Sequence, residues 1–302
     1  MKKFIAVSLS AAMVLSLAAC GNNGQTGGTT ASIVPATTPA TSATEATEAP
    51  ETEATEATIA TLSDDEALEK SEGVMTYAEY AEAAIDDEVV IEAYVQAKQS
   101  WWEDKATIYL QDPDGAYFCY DMECSEEDYD LLVEGQKIKV TGFKSEWSGE
   151  VEIIDATFEI EDGLWISEPV DATDLLGTDE LIDLQNQRVS FSEMTVVSVE
   201  FKNEQPGDDI YVTLSLDDEE YEFCLEYYLN GDDADFYDLV SNLEEGDVVD
   251  VEGFLYWYEG PNTHITSVTV VESASDAEDN EDADEVDAEE TTDESVEESE
   301  EA

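Results

Sequence analysis

The sequence predicts a mainly β protein, in which two tandem five-stranded barrels are flanked by disordered segments. Each barrel is expected to have a short leading helix and a second helix between strands. The stretch GQKIKVTGF at 135–143 returns with different charges as GDVVDVEGF at 246–254. Strand-like runs with apolar and polar alternation, separated by turn signals, fill residues 74–271. The segments 21–62 and 272–302 are too poor in large apolar residues to bury a core.

The N-terminal segment is typical of an export signal. Lys2 and Lys3 precede an apolar run that ends Leu17-Ala18-Ala19-Cys20, and this run is short for a membrane span. The ending resembles the lipobox of bacterial lipoproteins. That resemblance implies removal of residues 1–19 and a diacylglyceryl group on Cys20, whereas the alternative is an ordinary cleaved signal with an incidental cysteine. The prediction is a protein anchored to the extracytoplasmic face of the cell membrane, with the membrane as partner through the lipid at Cys20.

A disordered tether of Ala, Thr, Glu and Pro is predicted over residues 20–73, and a disordered acidic tail over 272–302. The first folded domain is placed at 74–163. Thr76 and Glu79 form a capping box for its leading helix, and VVIEAYVQA is its first strand. ATIYLQD and AYFCYDM form a hairpin, SEEDYDLL is a short helix, and the strands GQKIKVTGF and EVEIIDATFEI follow.

The second domain, placed at 164–271, repeats this order. Phe118-Cys119 corresponds to Phe223-Cys224, and the glycine pair of the first motif corresponds to Gly246 and Gly253. The order is that of an OB-fold, a small closed barrel without exposed sheet edges. Each half resembles the bacterial OB-fold type found in exported proteins, and the whole resembles OB-fold lipoproteins of Gram-positive gut bacteria. The resemblance implies a fold and supplies no catalytic motif.

The charge balance of the chain limits the classes of partner that are expected. The chain has 78 acidic and 10 basic residues and a formal net charge of −68, with 17 acidic residues in the last stretch, 272–302. Binding to phosphate requires a basic surface. The prediction is therefore that nucleic acid is not a partner, and that cations or basic proteins are favoured.

Aromatic residues near predicted loops are the candidate ligand-binding residues. OB-folds bind oligonucleotides and oligosaccharides across the barrel face and its loops, where aromatic side chains stack on the ligand. With phosphate disfavoured, a neutral sugar, a cell-wall glycan or a basic protein is the expected ligand. The alternative is that the tryptophans close the barrel ends or pack between domains. The candidates are Trp101, Trp102, Trp147, Tyr256, Trp257 and Tyr258.

Metal and cofactor sites are not predicted. Weak calcium binding is considered for acidic turns, but their spacing does not match an EF-hand loop, and turn formation or helix capping is the competing role. His264, the only histidine, corresponds to Glu152 and is expected to face solvent. Cys119 and Cys224 are expected in the core, although a Cys119–Cys124 disulfide remains open. The weak calcium candidates are Asp112, Asp114, Asp232, Asp233 and Asp235.

The predicted function is a non-enzymatic cell-surface binding or adaptor module for glycan or protein ligands. No nucleophile motif, phosphate-binding loop or Cys-x-x-Cys pair is present in the sequence. The alternative is a structural or cation-buffering acidic surface protein. Exposure of Trp101, Trp102 and Trp257 would favour the first function, and burial of all three would favour the second.

Overall fold

A computed structural model describes residues 61–230 and 233–275. The predictions for the signal segment, Cys20, most of the tether, Asp232 and nearly all of the acidic tail concern residues outside these ranges. Among the described residues, no helix is both long enough and apolar enough to cross a membrane.

The first barrel is closed by five strands in the order β1-β2-β3-β5-β4, with β4 returning to β1. Neighbouring strands are antiparallel except β3 and β5, which are parallel. This is an OB-like barrel, as predicted. The strands are β1 (Glu88–Lys98), β2 (Lys105–Asp112), β3 (Gly115–Glu123), β4 (Gln136–Trp147) and β5 (Glu150–Leu164).

Three short helices accompany this barrel, α1 (Asp64–Ala67), α2 (Tyr77–Glu82) and α3 (Glu126–Tyr129). The predicted capping box starts α2, because the Thr76 hydroxyl accepts from the Glu79 N–H and the Glu79 carboxylate accepts from the Thr76 N–H. Tyr80 on α2 packs its ring 4.9 Å from that of Tyr117, so α2 covers one end of the barrel core.

The sequence predicts a disordered tether as far as residue 73, and for residues 61–73 this prediction is wrong. The Trp165 indole N–H donates to Asp64 at 2.9 Å, and Lys70 forms a 2.7 Å ion pair with the buried Asp112. These polar contacts hold the segment against the barrel together with the buried Ala67, which packs with Tyr94 and Trp165. Composition did not reveal them, because a disordered tether and a polar strap have similar residues.

The second barrel repeats the arrangement, since β10 pairs with both β11 and β7 and so closes the ring β7-β8-β9-β11-β10. A short strand, β6, adds to β7 in parallel. The strands are β6 (Val170–Asp171), β7 (Arg188–Phe201), β8 (Ile210–Leu216), β9 (Glu219–Leu225), β10 (Val248–Trp257) and β11 (Pro261–Glu272). The α-helices are α4 (Tyr227–Asn230) and α5 (Ala234–Ser241).

The leading segment of the second barrel is not an α-helix but two short 3-10 helices, Thr173–Leu175 and Leu181–Leu184. Gly177 lies between them with φ +74°, a left-handed conformation that interrupts a helix. The boundary between the barrels also lies slightly later than predicted, because Leu164 still pairs with Gln136 in the first barrel.

The glycine near the end of each copy of the repeated motif has a steric explanation. The register slips beside Gly142 on β4 and beside Gly253 on β10, as β-bulges do. A Cβ on Gly142 would lie 2.7 Å from Cγ2 of Ile153, and a Cβ on Gly253 would meet the backbone carbonyl of His264. Each fourth strand of the two barrels therefore requires glycine where it bends over the last strand.

Candidate ligand-binding surface

An open cleft, here called the aromatic cleft, lies where the β1–β2 loop of the first barrel meets α4 of the second. Its volume is about 350 Å³. Three large aromatic side chains around it are exposed: Trp102 at 71%, Tyr228 at 56% and Tyr120 at 47%. The remaining lining residues are Gln99, Ser100, Trp101, Lys105, Thr107 and Asp121.

A tight turn presents Trp102 at this cleft. The backbone of Trp102 pairs with that of Lys105 in both directions, with N···O distances of 3.2 and 2.9 Å. Glu103 and Asp104 between them have φ values of +48° and +60°, typical of a type I′ turn. Trp101, next in the chain, is half-buried, and its indole N–H donates to the Cys124 carbonyl at 2.9 Å. Trp101 is thus held by a hydrogen bond in the wall of the cleft, and Trp102 projects into solvent.

The second barrel contributes Tyr228 to the same cleft. The Ser100 N–H donates to the Tyr228 carbonyl at 2.7 Å, and the Ser100 hydroxyl donates to the same oxygen at 3.1 Å. These two hydrogen bonds attach α4 to the β1–β2 loop, so the cleft is built from both barrels.

A second aromatic pair lies where the β4–β5 hairpin meets the β10–β11 hairpin. The rings of Trp147 and Tyr258 are both exposed, with centroids 5.2 Å apart. The Glu259 N–H donates to the Ser148 carbonyl at 2.7 Å and ties the two hairpins together. Trp257 is half-buried above Gly149, where a Cβ would lie 2.7 Å from its Cδ1. Five of the six aromatic candidates therefore form two groups, and Trp102 is the most exposed of them.

The barrels share an apolar contact, here called the inter-barrel contact, formed by Tyr109, Phe118, Phe254, Tyr256 and His264. The rings of Tyr109 and Phe254 stack with centroids 4.5 Å apart. Tyr256 stacks on His264 at 4.4 Å and also meets Phe118 at 5.5 Å. Packing between domains, the alternative role for the tryptophans, applies to Trp257, which lies over Gly149 of the first barrel, and also to Tyr256.

His264 was expected to face solvent, and this expectation is wrong. Its side chain is within the inter-barrel contact, the residue is 7% exposed, and its Nδ1 lies 2.8 Å from the Tyr109 hydroxyl. Burial lowers the pKa of His264 to about 3, so the ring is neutral at pH 7. Alternation correctly predicts that it points out of its own barrel, but the first barrel covers that face.

Two glutamates of β5 lie at the same junction and were not among the predicted site residues. Glu150 has no exposed surface, and its Oε2 accepts from the Trp257 N–H at 2.9 Å. Burial raises the pKa of Glu150 to about 8. Burial, followed by the charge of Asp121, also raises the pKa of Glu152. The sequence offered one signal for Glu152, which is that it occupies the same place in the first barrel as His264 in the second. Corresponding outer faces of two tandem barrels can pack together.

Two of the acidic calcium candidates, Asp112 and Asp233, accept hydrogen bonds from other groups. The Oδ1 atom of Asp112 accepts from the N–H groups of Asp114 and Gly115, and Oδ2 accepts from Tyr117 and Lys70. Asp233 caps α5 by accepting from the Phe236 N–H at 2.9 Å. Asp114 and Asp235 are exposed. Over the described residues, no group of three or more His, Cys, Asp or Glu side chains is arranged to hold a metal ion.

The three cysteines of the folded part, Cys119, Cys124 and Cys224, are free and buried. Burial raises the pKa of each thiol above its usual range. Cys119 lies in the core, as expected for a small apolar residue, and the Cys119–Cys124 bridge is not formed.

Comparison with known proteins gives matches in structure alone. No protein-family model matches the chain, and no curated protein matches its sequence. One similar structure is asparaginyl-tRNA synthetase from Pyrococcus horikoshii, with 14% identity, a TM-score of 0.25, and coverage of 29% of this chain and 20% of that one. The chain thus spans about a fifth of the length of that synthetase.

Two further similar structures contain DNA. A murine DNA-binding protein bound with double-stranded DNA has 11% identity and a TM-score of 0.32, covering 61% of this chain and 96% of that one. The Ifi202 HINa domain in complex with 20-base-pair double-stranded DNA has 11% identity and a TM-score of 0.30, covering 62% and 97%. These likenesses concern the fold. The resemblance to exported bacterial lipoproteins remains a prediction from the sequence.

The expectation that nucleic acid is not a partner is corrected. It was drawn from net charge, whereas structures similar to this chain hold double-stranded DNA. Net charge sums over the whole molecule and describes no particular surface, so it does not exclude a class of ligand for an OB-like protein. What the structure defines is a pair of tandem OB-like barrels with an open aromatic cleft where they meet.

Proposed function

We propose that this protein is a non-enzymatic binding module that holds its ligand in the aromatic cleft. The observation that carries the proposal is the exposure of Trp102, Tyr120 and Tyr228 around one cleft. Leaving large apolar surfaces in contact with water is unfavourable, and contiguous exposed patches mark interaction sites. The tight turn orders the backbone at Trp102 before a ligand arrives, which reduces the entropic cost of binding.

The ligand proposed first is a glycan. Aromatic rings stack on the flat faces of sugars, and the cleft also contains hydroxyl and amide groups from Ser100, Thr107 and Gln99. Lys105 and Asp121 contribute one charge of each sign, and the Lys105 ammonium donates to the Asp121 carbonyl at 3.1 Å. This mixture suits hydroxyl groups, which both donate and accept.

The proposed location is the extracytoplasmic face of the membrane, with the chain anchored by lipid at Cys20. Support comes from the export-type segment that ends Leu17-Ala18-Ala19-Cys20. Stable anchoring requires more than one acyl chain, and a diacylglyceryl group supplies two. Metabolic labelling with an alkyne fatty acid tests this directly, because the label would be lost in Cys20→Ala.

Binding is tested by titrating the full chain with soluble cell-wall glycan and, in parallel, with single- and double-stranded oligonucleotides, following tryptophan fluorescence. We expect saturable binding of glycan that Trp102→Ala weakens at least tenfold. Phe143→Ala is the matched control, because Phe143 is an exposed aromatic residue outside the cleft.

Equal binding by Trp102→Ala and the unmodified chain would refute the cleft as the site. Saturable binding of oligonucleotide alone would keep the module and replace the glycan. A flat response to every probe would favour the alternative function, a structural or cation-buffering acidic surface protein.

A further inference from the structure

We propose that Glu152 determines the ligand specificity of this module, by accepting hydrogen bonds from hydroxyl groups of a saccharide that extends beyond the aromatic cleft across both barrels. The inference rests on the proposed function and deepens it. It is carried by the position of Glu152, by the state of its carboxylate and by the aromatic side chains on either side.

Glu152 lies between the two aromatic groups. On β5 it is the cross-strand neighbour of Phe118 on β3, and the ring of Phe118 meets Tyr256 at 5.5 Å. Tyr120 follows two residues after Phe118 and therefore lies on the same face of β3. Glu152 thus lies on a face bordered by Tyr120 of the first barrel and Tyr256 of the second.

Electrostatic effects agree with this placement. Asp121, burial and Glu152 together raise the pKa of Tyr120. Burial, followed by the charges of Glu150 and Glu152, raises the pKa of Tyr256. The carboxylate of Glu152 therefore acts on tyrosines of both barrels.

The carboxylate of Glu152 has no partner among the residues that the structure describes. Within the described part of the chain it forms no hydrogen bond or ion pair, although the residue is only 8% exposed. Its oxygens are not among the fully buried atoms that lack a partner, so they keep contact with solvent and are open to a donor from a bound molecule. Glu150, two residues earlier, is different because it is sealed from solvent and accepts from the Trp257 N–H. Glu152 is the one of the two that a ligand can reach.

The aromatic surface continues past Glu152. Tyr258 lies two residues after Tyr256, just past the end of β10, and its ring meets that of Trp147. Exposed aromatic rings therefore occur at both ends, with Trp102 and Tyr120 on one side and Tyr258 and Trp147 on the other. Stacking surfaces separated by an acceptor suit a chain of rings that carry hydroxyl groups, rather than a single small ring.

The test uses N-acetylglucosamine oligomers, from the dimer to the hexamer, titrated calorimetrically into the full chain. We expect affinity to rise with length, and Glu152→Gln to weaken hexamer binding by about tenfold, because hydrogen bonds to a charged acceptor exceed those to an amide. Glu159→Gln is the matched control, since Glu159 is an exposed glutamate of the same strand. Circular dichroism and the unfolding midpoint verify that Glu152→Gln remains folded.

If Trp102→Ala abolishes binding while Glu152→Gln binds like the unmodified chain, the role of Glu152 is refuted and the proposed function stands. Equal affinity for dimer and hexamer would refute the extended site. If no oligomer binds the unmodified chain, or an oligonucleotide competes the hexamer away, both the glycan and the role of Glu152 as its acceptor are refuted.

Discussion

Replacing Glu150 by glutamine is expected to stabilise the protein at alkaline pH. In the native state this carboxyl has no exposed surface, and one of its oxygens, Oε1, has no hydrogen-bond partner among the described residues. Burial raises its pKa from 4.5 to about 8, so the native state retains a proton that the unfolded chain releases. Glutamine is neutral at every pH and keeps an oxygen to accept from the Trp257 N–H.

The magnitude follows from linkage between protonation and folding. Between pH 4.5 and pH 8 the native state binds more protons than the unfolded state, so stability decreases as pH rises. Three and a half pH units at about 1.4 kcal/mol each amount to about 5 kcal/mol. Below pH 4.5 the group is protonated in both states and contributes no pH dependence.

Urea unfolding of the full chain and of Glu150→Gln, followed by tryptophan fluorescence at pH 4 and pH 9, measures this difference. The free energy of unfolding of the variant should gain on that of the unmodified chain by about 5 kcal/mol between the two pH values. Glu159→Gln, which alters an exposed glutamate of the same strand, should run parallel to the unmodified chain. A gap that stays constant with pH would show that Glu150 is ionised in the native state and refute the reasoning.

Three further predictions concern stability. Lys70→Met should lower the free energy of unfolding in urea by about 3 to 5 kcal/mol, because it leaves the buried Asp112 without its cation. Lys139→Met removes no ion pair found in the described residues and should lower it little. Gly142→Ala should cost about 1 to 3 kcal/mol by crowding Ile153, and Gly260→Ala, in open space, should not; equal costs would contradict the steric role of the bulge. The pKa of His264 is lowered from 6.5 to about 3, so between these pH values the unfolded chain binds a proton that the native protein does not. Stability therefore falls as the pH drops from 6.5 to 3. In His264→Gln the melting temperature should fall less over the same pH range.

The fold could be predicted because its signals are local. Period-two alternation identifies the strands, and the glycine before the phenylalanine in each repeat marks the bend, where a Cβ at Gly142 or Gly253 would have no space. The exposure of Trp102 follows from the tight turn that Glu103 and Asp104 form.

The inter-barrel contact could not be predicted in the same way. Alternation separates the inside of a barrel from its outside, and it assigned both Glu152 and His264 to the outside. Whether an outer face meets water or another barrel depends on the relative placement of two domains, which no short stretch of sequence encodes. Residues 61–73 were misassigned for a related reason, since their partners are distant in the chain.

The attachment of α4 to the β1–β2 loop has a consequence for valency. Tandem copies of a binding domain often give two sites and an avidity gain. Here the loop of the second barrel that corresponds to Trp101-Trp102 carries Lys202, held by Asp209 at 2.8 Å, in place of tryptophan. The second copy instead supplies Tyr228 to the cleft of the first and covers part of its outer face with Phe254. Each chain thus has one composite cleft, and under the proposed function titrations should saturate at a single equivalent of ligand.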